Sequence, residues 1–597
     1  MATVFGQSTE LPLGNDAYHI LDRQEIKAGK DFQAPFFSTF KPYKRKDVTQ
    51  FMINLDEAGV DSSNLNHKDR VYIFKDNNDW IDQPAEGLDG QVFSDKKHYE
   101  KVYVDSSKVF YTYRETERSS NPTLKRYYSS KKPIFKVFYK TPANLWEINK
   151  PAFKMRVNPI IHFKLGKEQE DEGGYTFLNT RGVDVRGSID DRVWFHTRIL
   201  ENQARFPIHV TERNIATSSV PGAGFYKRYE SRVFDITNGY DYLLATGYVN
   251  ARISKHIHVQ LGHGQNFIGN GHRSLFLSDY STNYFYLKLN TKVWKFNYQN
   301  IFAELTSQFD RDTLGDVTRP KKYIAAHHLS INILPNLNIG LFESVVFDRG
   351  NTFELQYLNP VILYRTVEQA VGSPDNANIG LDFKYNFLKR FSLYGQIMID
   401  EFVFNELVVE RRGWWANKIA YQLGLKYIDV IGIDHLDLQL EYNSVRPFTY
   451  THRDESANYT HYNQPLAHPL GANFKEIIAI LRYQPIFPLK LQGRLVYANF
   501  GTDIEDSNWG SNIFLNHLER SAPDGTDDEI GHRIGQGIGN KLLILDFNAA
   551  YQLKHNLYLD FNAVMRNLES DDDSRDYSRI FVGFGVRWNI ADRIVDY

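Results

Sequence analysis

The chain has 597 residues, a net charge of −2 and no cysteine. Without cysteine there is neither a disulfide framework nor a thiolate metal site, and the balanced charge gives no general attraction to nucleic acid or anionic lipid. Phe, Tyr and Trp make up 14% of the residues, an excess that membrane barrels use on their lipid face and in two interfacial girdles. No apolar run approaches the ~20 residues that a membrane helix requires.

The first 150 residues differ from the rest in the pattern of their apolar residues and predict a small, mainly helical region. Residues 1–7 have the composition of the end of a signal peptide, the alternative being an ordinary N-terminus. Asp16 is placed to cap a short helix, apolar residues recur at helical spacing over 48–55, and a weaker pattern covers 65–74. Such helices are too few to bury a core of their own. We therefore expect residues 8–150 to form a periplasmic or plug region.

Between residues 96 and 140 the chain becomes basic, because Lys and Arg outnumber the acidic residues. Short alternating segments at 102–104, 109–113 and 134–139 predict strands or extended plug segments. The basic stretch is either a contact for lipopolysaccharide phosphates or acidic glycans, or an ordinary solvated face.

From residue 151 to residue 597 the pattern predicts a β-barrel. Eighteen segments alternate apolar and polar residues, as strands with two different faces do, and a length of ~9–14 residues suits a tilted membrane strand. The predicted strands lie near 152–166, 174–187, 191–204, 242–253, 256–265, 284–291, 293–306, 321–334, 336–347, 376–388, 390–401, 418–429, 433–445, 474–485, 488–500, 540–553, 556–568 and 579–591.

Short and long connections alternate along this part of the chain. The turns near 254–255, 389 and 554–555 are tight, whereas linkers such as 205–241 and 446–473 are long. Bacterial outer-membrane barrels have short periplasmic turns and long extracellular loops, and a soluble all-β protein has no reason to sort its loops by side. The sequence thus predicts an all-β transmembrane barrel of about 18 antiparallel strands in the outer membrane of a Gram-negative bacterium.

The faces of the predicted strands agree with a barrel. Asp437, Gln439 and Glu441 alternate with leucines in one strand. A charge that faces lipid near the bilayer midplane costs ~2–4 kcal/mol, so we expect these side chains to line a wet lumen. Tyr597 follows the last predicted strand. A terminal aromatic residue in this position is the kind of signal that the barrel-insertion machinery recognises.

No group of residues predicts catalysis or metal binding. His263 with Asn266, or His272 with Ser274, could form a hydrolase-like site only with a third orienting group, and no GxSxG elbow is present. The adjacent His327 and His328 must point to opposite strand faces. The acidic stretches 524–529 and 571–573 lack the alternating ligand spacing of a calcium loop. We expect a non-enzymatic protein without cofactor or metal.

A glycine-rich insert between two strands carries a resemblance to a known family. The stretch LGHGQNFIGNGHRSLFLSDYSTNYFYLKL (261–289), together with YHILDRQEIKAG (18–29), resembles the Wzi-like outer-membrane proteins of capsule assembly, and within them the RemB-type proteins of gliding motility. The motif residues are Gly262, His263, Gly264, Asn266, Phe267, Gly269, Gly271, Arg273, Ser274 and Asp279. The resemblance implies an eighteen-stranded barrel with a periplasmic-side helical bundle, which acts as a surface lectin for capsular polysaccharide.

The insert, residues 262–279, is expected on the extracellular side and folded inward. Its glycines would permit turns with φ > 0, and His263, Asn266 and Arg273 would hydrogen-bond it to the barrel wall. This favours a structural constriction over a binding site, with the binding site as the alternative.

Aromatic residues of the long loops are candidates for stacking on sugar rings. They are Trp414, Trp415, Tyr450, Tyr459, Tyr462 and Trp509. The alternative for the two adjacent tryptophans is the interfacial girdle.

The expected function is to bind, anchor or organise surface polysaccharide, in contact with outer-membrane lipid and lipopolysaccharide. One alternative is a structural subunit of a gliding-motility or secretion-type complex, with other envelope proteins as partners. Another is a diffusion porin, which bulky inward residues such as Tyr286 and Phe581 disfavour.

Overall fold

The computed structural model describes most of the chain. The described residues are 8–60, 63–77, 99–105, 108–113, 143–150, 152–169, 174–190, 192–231, 236–309, 318–372, 375–505, 507–523, 525–593 and 595–597. The suggested signal-peptide remnant 1–7 and the predicted segment 134–139 lie outside them. Among the described residues, no helix is long and apolar enough to cross a membrane.

The predicted barrel is confirmed as a closed antiparallel barrel of 18 strands. In chain order, β1 to β18 are Phe153–Glu168, Thr176–Ile189, Val193–Arg205, Ile236–Arg252, Ile257–Gly264, Tyr284–Val293, Phe296–Thr306, Lys321–Leu334, Leu337–Phe347, Asn376–Phe387, Phe391–Glu401, Lys418–Tyr427, Leu436–Val445, Phe474–Ile486, Leu489–Thr502, Ile538–Lys554, Leu557–Ser570 and Tyr577–Trp588. Strand β18 pairs with β1 and closes the barrel, with Phe581 opposite Glu168. Two short strands, Trp146–Lys150 and Lys227–Ser231, pair along β1 and β4.

The last strand shows how the two-residue period builds the wall. In β18 the alternate residues Ile580, Val582, Phe584 and Val586 are exposed on the outside, whereas Arg587 is buried on the inside. Successive side chains of a strand point to opposite faces, and apolar side chains avoid the cost of placing charge in lipid. The same alternation defines the lipid face around the barrel.

Three helices form the N-terminal region, as the sequence predicted. They are α1 (Ala17–Ala28), α2 (Arg45–Glu57) and α3 (Asn64–Asn77), and they share a buried apolar cluster that includes Leu21, Phe51 and Phe74. The side chain of Asp16 makes no cap hydrogen bond. It accepts a hydrogen bond of 3.0 Å from Lys490 of β15 instead, so the barrel wall, not the helix end, satisfies this carboxylate.

The helices lie at the end of the barrel that carries the short turns, which is the periplasmic end of an outer-membrane barrel. Arg23 of α1 donates to Asp437 at 2.5 Å, at the start of β13, and Asp31 pairs with Lys389 of the β10–β11 turn at 2.6 Å. We call residues 8–77 the plug because they cover this mouth. Strands Tyr99–Asp105 and Lys108–Tyr113 form a separate hairpin, where two of the alternating segments were predicted. The domain division at residue 150 stays a prediction.

One loop folds against the outside of the barrel instead of projecting from it. His327 and Glu343 lie on the outward faces of β8 and β9 and form a pair of 2.8 Å. Two further helices follow in the chain, α4 (Ile208–Thr217) and α5 (Tyr364–Ala370). Helix α5 covers the pair, and the backbone N–H groups of Tyr364 and Arg365 donate to the Glu343 carboxylate at 2.9 Å. This cover explains how a carboxylate is tolerated on the lipid side of the wall.

Candidate functional site: the lumen insert and the extracellular cap

The insert follows β5 and lies inside the lumen, as expected. Its segment Phe267–Ile268 forms a two-stranded pairing with Phe40–Lys41 of the plug. Ile268 also forms a bridge with Leu277, so the insert folds back on itself. The insert therefore contacts the plug from the extracellular side, and the two together occupy the barrel axis.

Wall side chains satisfy the backbone of the insert. The N–H groups of His272 and Arg273 donate to the two oxygens of Glu441, at 2.6 and 3.0 Å. Gln396 accepts from the N–H of Leu275 and donates to the carbonyl of Ile268, both at 2.9 Å. An irregular buried segment leaves peptide groups without secondary-structure partners. The polar inward residues of β11 and β13 supply those partners, so they bind protein and not only water.

Arg273 ties the insert to two other parts of the chain. Its guanidinium lies 2.7 Å from Asp596 and 3.3 Å from Glu476 of β14. Burial opposes the positive charge, but Glu476 and Asp596 outweigh it and raise the pKa of Arg273. Asp596 also pairs with Arg494 of β15 at 2.6 Å. Removing one partner of such a buried ion pair strongly destabilises the folded protein, because the other charge stays buried without its partner.

Residues 589–593 and 595–597 follow β18, and Asp596 contacts Arg273 in the lumen. Tyr597 is buried, and its hydroxyl donates to Glu476 at 2.7 Å. The last strand ends at Trp588, and the interpretation of Tyr597 as an insertion signal stays a prediction. Local alternation cannot show that a chain segment turns inward after its last strand.

An apolar core fills the extracellular half of the lumen. Leu275, Phe276 and Leu277 of the insert are buried in it, and Phe276 stacks on Phe342 of β9 with ring centroids 4.6 Å apart. The inward wall is apolar here because the insert packs against it, which differs from the expected wet lumen. The extracellular half is therefore a packed interior and not a channel.

Two predicted sugar-stacking residues belong to this core. Tyr450 and Tyr459 are fully buried. Their hydroxyls donate to the carbonyls of Leu275 and Phe276 at 2.9 and 2.7 Å. Neither ring face is open to a sugar in this structure, so their assignment as binding residues is corrected. A buried tyrosine needs a partner for its hydroxyl, and here the partner is the insert.

The glycines of the motif serve close approach more than unusual turns. Only Gly269 of the four has a positive φ, of 156°, so the expectation of φ > 0 is wrong for Gly262, Gly264 and Gly271. A Cβ on Gly271 would lie 2.5 Å from a carboxylate oxygen of Glu441. The absent side chain lets the insert reach the wall carboxylate that holds it.

The remaining motif residues divide between the wall and the lumen. His263 is exposed on the outward face of β5, next in alternation to Leu261, so its expected hydrogen bond to an inward insert is corrected. Asn266 is buried and accepts from Lys288 at 3.2 Å. The ring of Phe267 lies 4.7 Å from the Lys41 ammonium.

The other two polar residues of the motif face the lumen. The Ser274 hydroxyl donates to the carbonyl of Ile268, within the insert itself. Asp279 lines a cavity of about 480 Å³ that lies between α1, the insert and the wall of β12–β18. Cationic and anionic side chains both line this cavity, among them Lys41, Arg482 and Asp22. The cavity is the polar remainder of the lumen.

One group in the described part of the chain has the geometry of a metal site, formed by Asp429, Asp434 and His435. The guanidinium of Arg23 contacts Asp429 and Asp434, and Lys27 lies 2.7 Å from Asp429. These cations neutralise the carboxylates, so the group works as a docking point for the plug.

Three extracellular loops interlock above the core. We call the loops 402–417, 446–473 and 503–537 the cap. Gly531 and His532 donate to the carbonyls of Arg412 and Gly413, both at 2.9 Å, and Phe448 donates to the carbonyl of Gly510 at 3.0 Å. These backbone bonds join loops that lie far apart in the sequence, so the cap is a fixed surface.

The other four predicted aromatic residues are half-buried in or beside the cap; they are Trp414, Trp415, Tyr462 and Trp509. The ring centroids of Trp414 and Trp415 lie 6.1 Å apart, and the guanidinium carbon of Arg520 lies 4.3 Å from the ring centroid of Trp415. The indole N–H of Trp509 donates to Ser507 at 2.8 Å. All four residues are partly exposed, which suits a binding surface.

Three solved structures match this chain at low sequence identity. Escherichia coli Wzi, an outer-membrane protein involved in group 1 capsule assembly and a carbohydrate-binding β-barrel, matches at 13% identity and a TM-score of 0.45, covering 73% of this chain and 85% of Wzi. Pseudomonas aeruginosa OprD matches at 12% identity and a TM-score of 0.39, covering 73% and 94%. Acinetobacter baumannii OccAB2 matches at 10% identity and a TM-score of 0.40, covering 73% and 98%.

No curated protein matches the sequence. The family model described as capsule assembly protein Wzi matches residues 180–499, which is more than half of the chain and includes the whole insert. The closer resemblance to RemB-type proteins stays a prediction. By its sequence match, and with a closed barrel of 18 strands typical of the Gram-negative outer membrane, this chain belongs to the Wzi family of capsule assembly proteins.

Proposed function

We propose that this outer-membrane barrel binds surface polysaccharide of the capsular type and holds it at the cell surface without enzymatic chemistry. Membership of the capsule assembly family supports the polysaccharide as ligand. The cap is the surface that would bind it, and the insert and the plug hold the barrel closed beneath.

The observation that carries the proposal is the packed core below the cap. Because Phe276, Tyr450 and Tyr459 fill the extracellular half of the lumen, a polymer that approaches from outside meets the loops and not a channel. The same core argues against the diffusion porin, for which a water-filled lumen is required. We expect no steady conductance from the purified protein in planar bilayers.

The fixed geometry of the cap supports a lectin-like role. Rigid surfaces lose less conformational entropy on binding than mobile ones, and half-exposed tryptophans present large apolar faces with a polar edge. Arg446 donates to the carbonyls of Asn417 and Trp414 at 2.7 and 3.2 Å, which places a cation beside the tryptophan pair. Aromatic faces next to cations suit an acidic polysaccharide.

The test is binding of purified protein in detergent to an array of surface and capsular glycans. We expect Trp414→Ala and Trp509→Ala to weaken binding by about tenfold or more, the factor that corresponds to ~1.4 kcal/mol. Trp294→Ala is the matched control, because Trp294 is 76% exposed on a turn at the opposite end of the barrel. Absence of any glycan binding by the wild-type protein would overturn the proposal.

The structural role in an envelope complex makes a different prediction for the same protein. A pull-down from native membranes would then recover partner proteins in stoichiometric amounts, and Trp414→Ala would leave glycan retention at the cell surface unchanged. Glycan binding by an isolated monomer argues for the lectin role instead.

A further inference from the structure

A second cavity lies at the periplasmic mouth, on the far side of the molecule from the cap. It has a volume of about 330 Å³ and lies between the plug and the inner wall of β4–β7. The plug contributes Phe36, Phe37 and Phe40 to its lining, and the wall contributes polar residues such as Asn250. We call this cavity the basic pocket, because six Lys and Arg residues line it against two acids, Glu10 and Asp47.

Part of this positive charge is used by the fold. Lys288 lies 3.1 Å from Glu10, which is also bound by Gln260 at 3.1 Å. This arrangement links the start of the plug to β5 and β6. Glu10 is therefore already paired with a cation of the wall.

Three further cations of the pocket form no ion pair with a carboxylate among the described residues. Lys44, Lys255 and Lys292 make no ion pair there, and the Lys292 ammonium donates only to the carbonyl of Pro35 at 2.5 Å. Burial lowers the pKa of Lys44 to about 8, and Lys292 and Lys288 add to this against the pull of Asp47 and Glu10. An excess of like charges that are held together favours the binding of an anion.

The location indicates how an anion would enter. Lys255 lies in the short β4–β5 turn and Lys292 lies beside the short β6–β7 turn, and both are exposed. The exposed apolar residues Ile253 and Trp294 nearby mark the membrane interface. The phenylalanines of the plug form an apolar wall next to the cations. A ligand with a compact anionic head and a less polar remainder matches this lining.

We propose that the basic pocket binds a phosphate group presented at the periplasmic mouth, with Lys44, Lys255 and Lys292 as its cationic contacts. The phosphate belongs either to a soluble phosphate compound or to the headgroup of a phospholipid in the periplasmic leaflet. Both sources offer the same chemistry to the three ammonium groups. The site is separate from the cap, so its test is independent of the proposed polysaccharide binding.

The soluble source is tested by titration of the full-length protein in detergent with inorganic pyrophosphate, followed by calorimetry at low and high salt. We expect saturable binding that weakens as salt rises, because these charges are partly screened. Lys44→Gln and Lys292→Gln should each raise the Kd by about tenfold, which corresponds to ~1.4 kcal/mol of binding free energy. Lys30→Gln is the matched control, since Lys30 is an exposed lysine of the plug outside the pocket.

The lipid source is tested with the same variants in nanodiscs of phosphatidylcholine with and without phosphatidylglycerol, by native mass spectrometry of retained lipid. Retention of the anionic lipid that is lost in Lys44→Gln and Lys292→Gln identifies the headgroup as the ligand. Binding of neither pyrophosphate nor anionic lipid overturns the proposal. It is also overturned if Lys30→Gln loses as much binding as the pocket variants, or if none of the variants loses any. A heat-dependent shift on denaturing gels verifies that each variant is folded.

Discussion

The two halves of the lumen are filled in different ways. In the extracellular half, the insert and the cap pack an apolar core around Leu275 and Phe276. In the periplasmic half, the plug meets the wall through ion pairs. These pairs are Arg23–Asp437, Glu25–Lys384, Asp22–Lys426 and Asp16–Lys490.

The difference shows what each half can do. Apolar burial is non-directional and does not depend on salt or on the ionisation of side chains, so the insert forms a permanent part of the interior. Ion pairs in a partly wet lumen set position, but desolvation offsets much of their attraction. The plug is thus specifically placed and more easily released than the insert.

The largest expected effect is on the ion pairs that Arg273 forms with Glu476 and Asp596. Arg273→Ala removes the cation that the buried carboxylates Glu476 and Asp596 share and leaves only Arg494 beside Asp596. Breaking such a pair costs ~3–5 kcal/mol. The free energy of unfolding, measured by urea titration in detergent, should fall by that amount. Arg412→Ala removes an exposed pair with Glu406 and should leave it nearly unchanged. If both variants behave alike, Arg273 does not anchor the insert.

The apolar core is tested by Phe276→Ala. The change removes the ring that stacks on Phe342 and opens a cavity, which costs ~3–5 kcal/mol for a fully buried phenylalanine. We expect a large loss of stability in the same titration and no dependence of that loss on salt. Phe584→Ala is the control, since Phe584 is 64% exposed on the lipid face. A loss that varies strongly with salt would contradict an apolar core.

The plug should respond to a change at Arg23. This arginine contacts Asp429, Asp434 and Asp437, and each hydrogen bond to a charged group contributes ~1.5–3 kcal/mol. Arg23→Gln should increase the rate at which limited proteolysis cuts the N-terminal region, and more so at high salt. The barrel itself should stay folded. An unchanged cleavage rate relative to Lys30→Gln would show that the pairs do not hold the plug.

Acid should also loosen the plug. Burial raises the pKa of Asp22, but Lys426 and Lys384 outweigh it and lower the pKa below its ordinary value. A lowered pKa stabilises the folded state fully above the unfolded-state pKa of ~3.9, and this contribution is lost as the pH falls below that value. Proteolysis with pepsin should therefore release the plug below about pH 4. Release of the plug at a rate that is independent of pH would show that ionised carboxylates do not hold it.

The smallest effect is expected from a single hydroxyl. Tyr459→Phe removes the hydrogen bond to the carbonyl of Phe276 and keeps the ring, so it should cost ~1 kcal/mol. Glycan binding should be unchanged, because the ring is buried. Lost binding with intact stability would restore Tyr459 as a ligand residue, and the urea titration together with the glycan array separates the two outcomes.

Sequence reasoning reached the residues that act locally and missed those that act at a distance. It placed Trp414 and Trp509 in long loops, where they are half-exposed, but the same criterion assigned Tyr450 and Tyr459 to sugar binding although they are buried. All four are aromatic residues in polar loops, and composition does not distinguish them. The difference arises from the insert, which lies 175 and 183 residues away along the chain from its two tyrosine partners.

The basic pocket was likewise invisible to sequence reasoning. Lys44 and Lys292 lie in segments that look ordinary, and only the docking of the plug on β4–β7 brings them together. Glu343 shows the reverse case, because strand alternation points it outward and the sequence alone offers no reason for a charge there. The external helix that satisfies it follows β9 by a loop whose path has no periodic signal.

The sequence by itself determined the wall of this protein: the 18 strands, their faces and the side on which the long loops lie. Strand alternation and turn length are local properties, and the cost of placing charge in lipid imposes them on every strand. Only the tertiary structure decided what fills the lumen. The insert, the plug and the residues after β18 meet there through Arg273, Glu441 and Asp596, and such contacts depend on the shape and charge of segments that are remote in sequence.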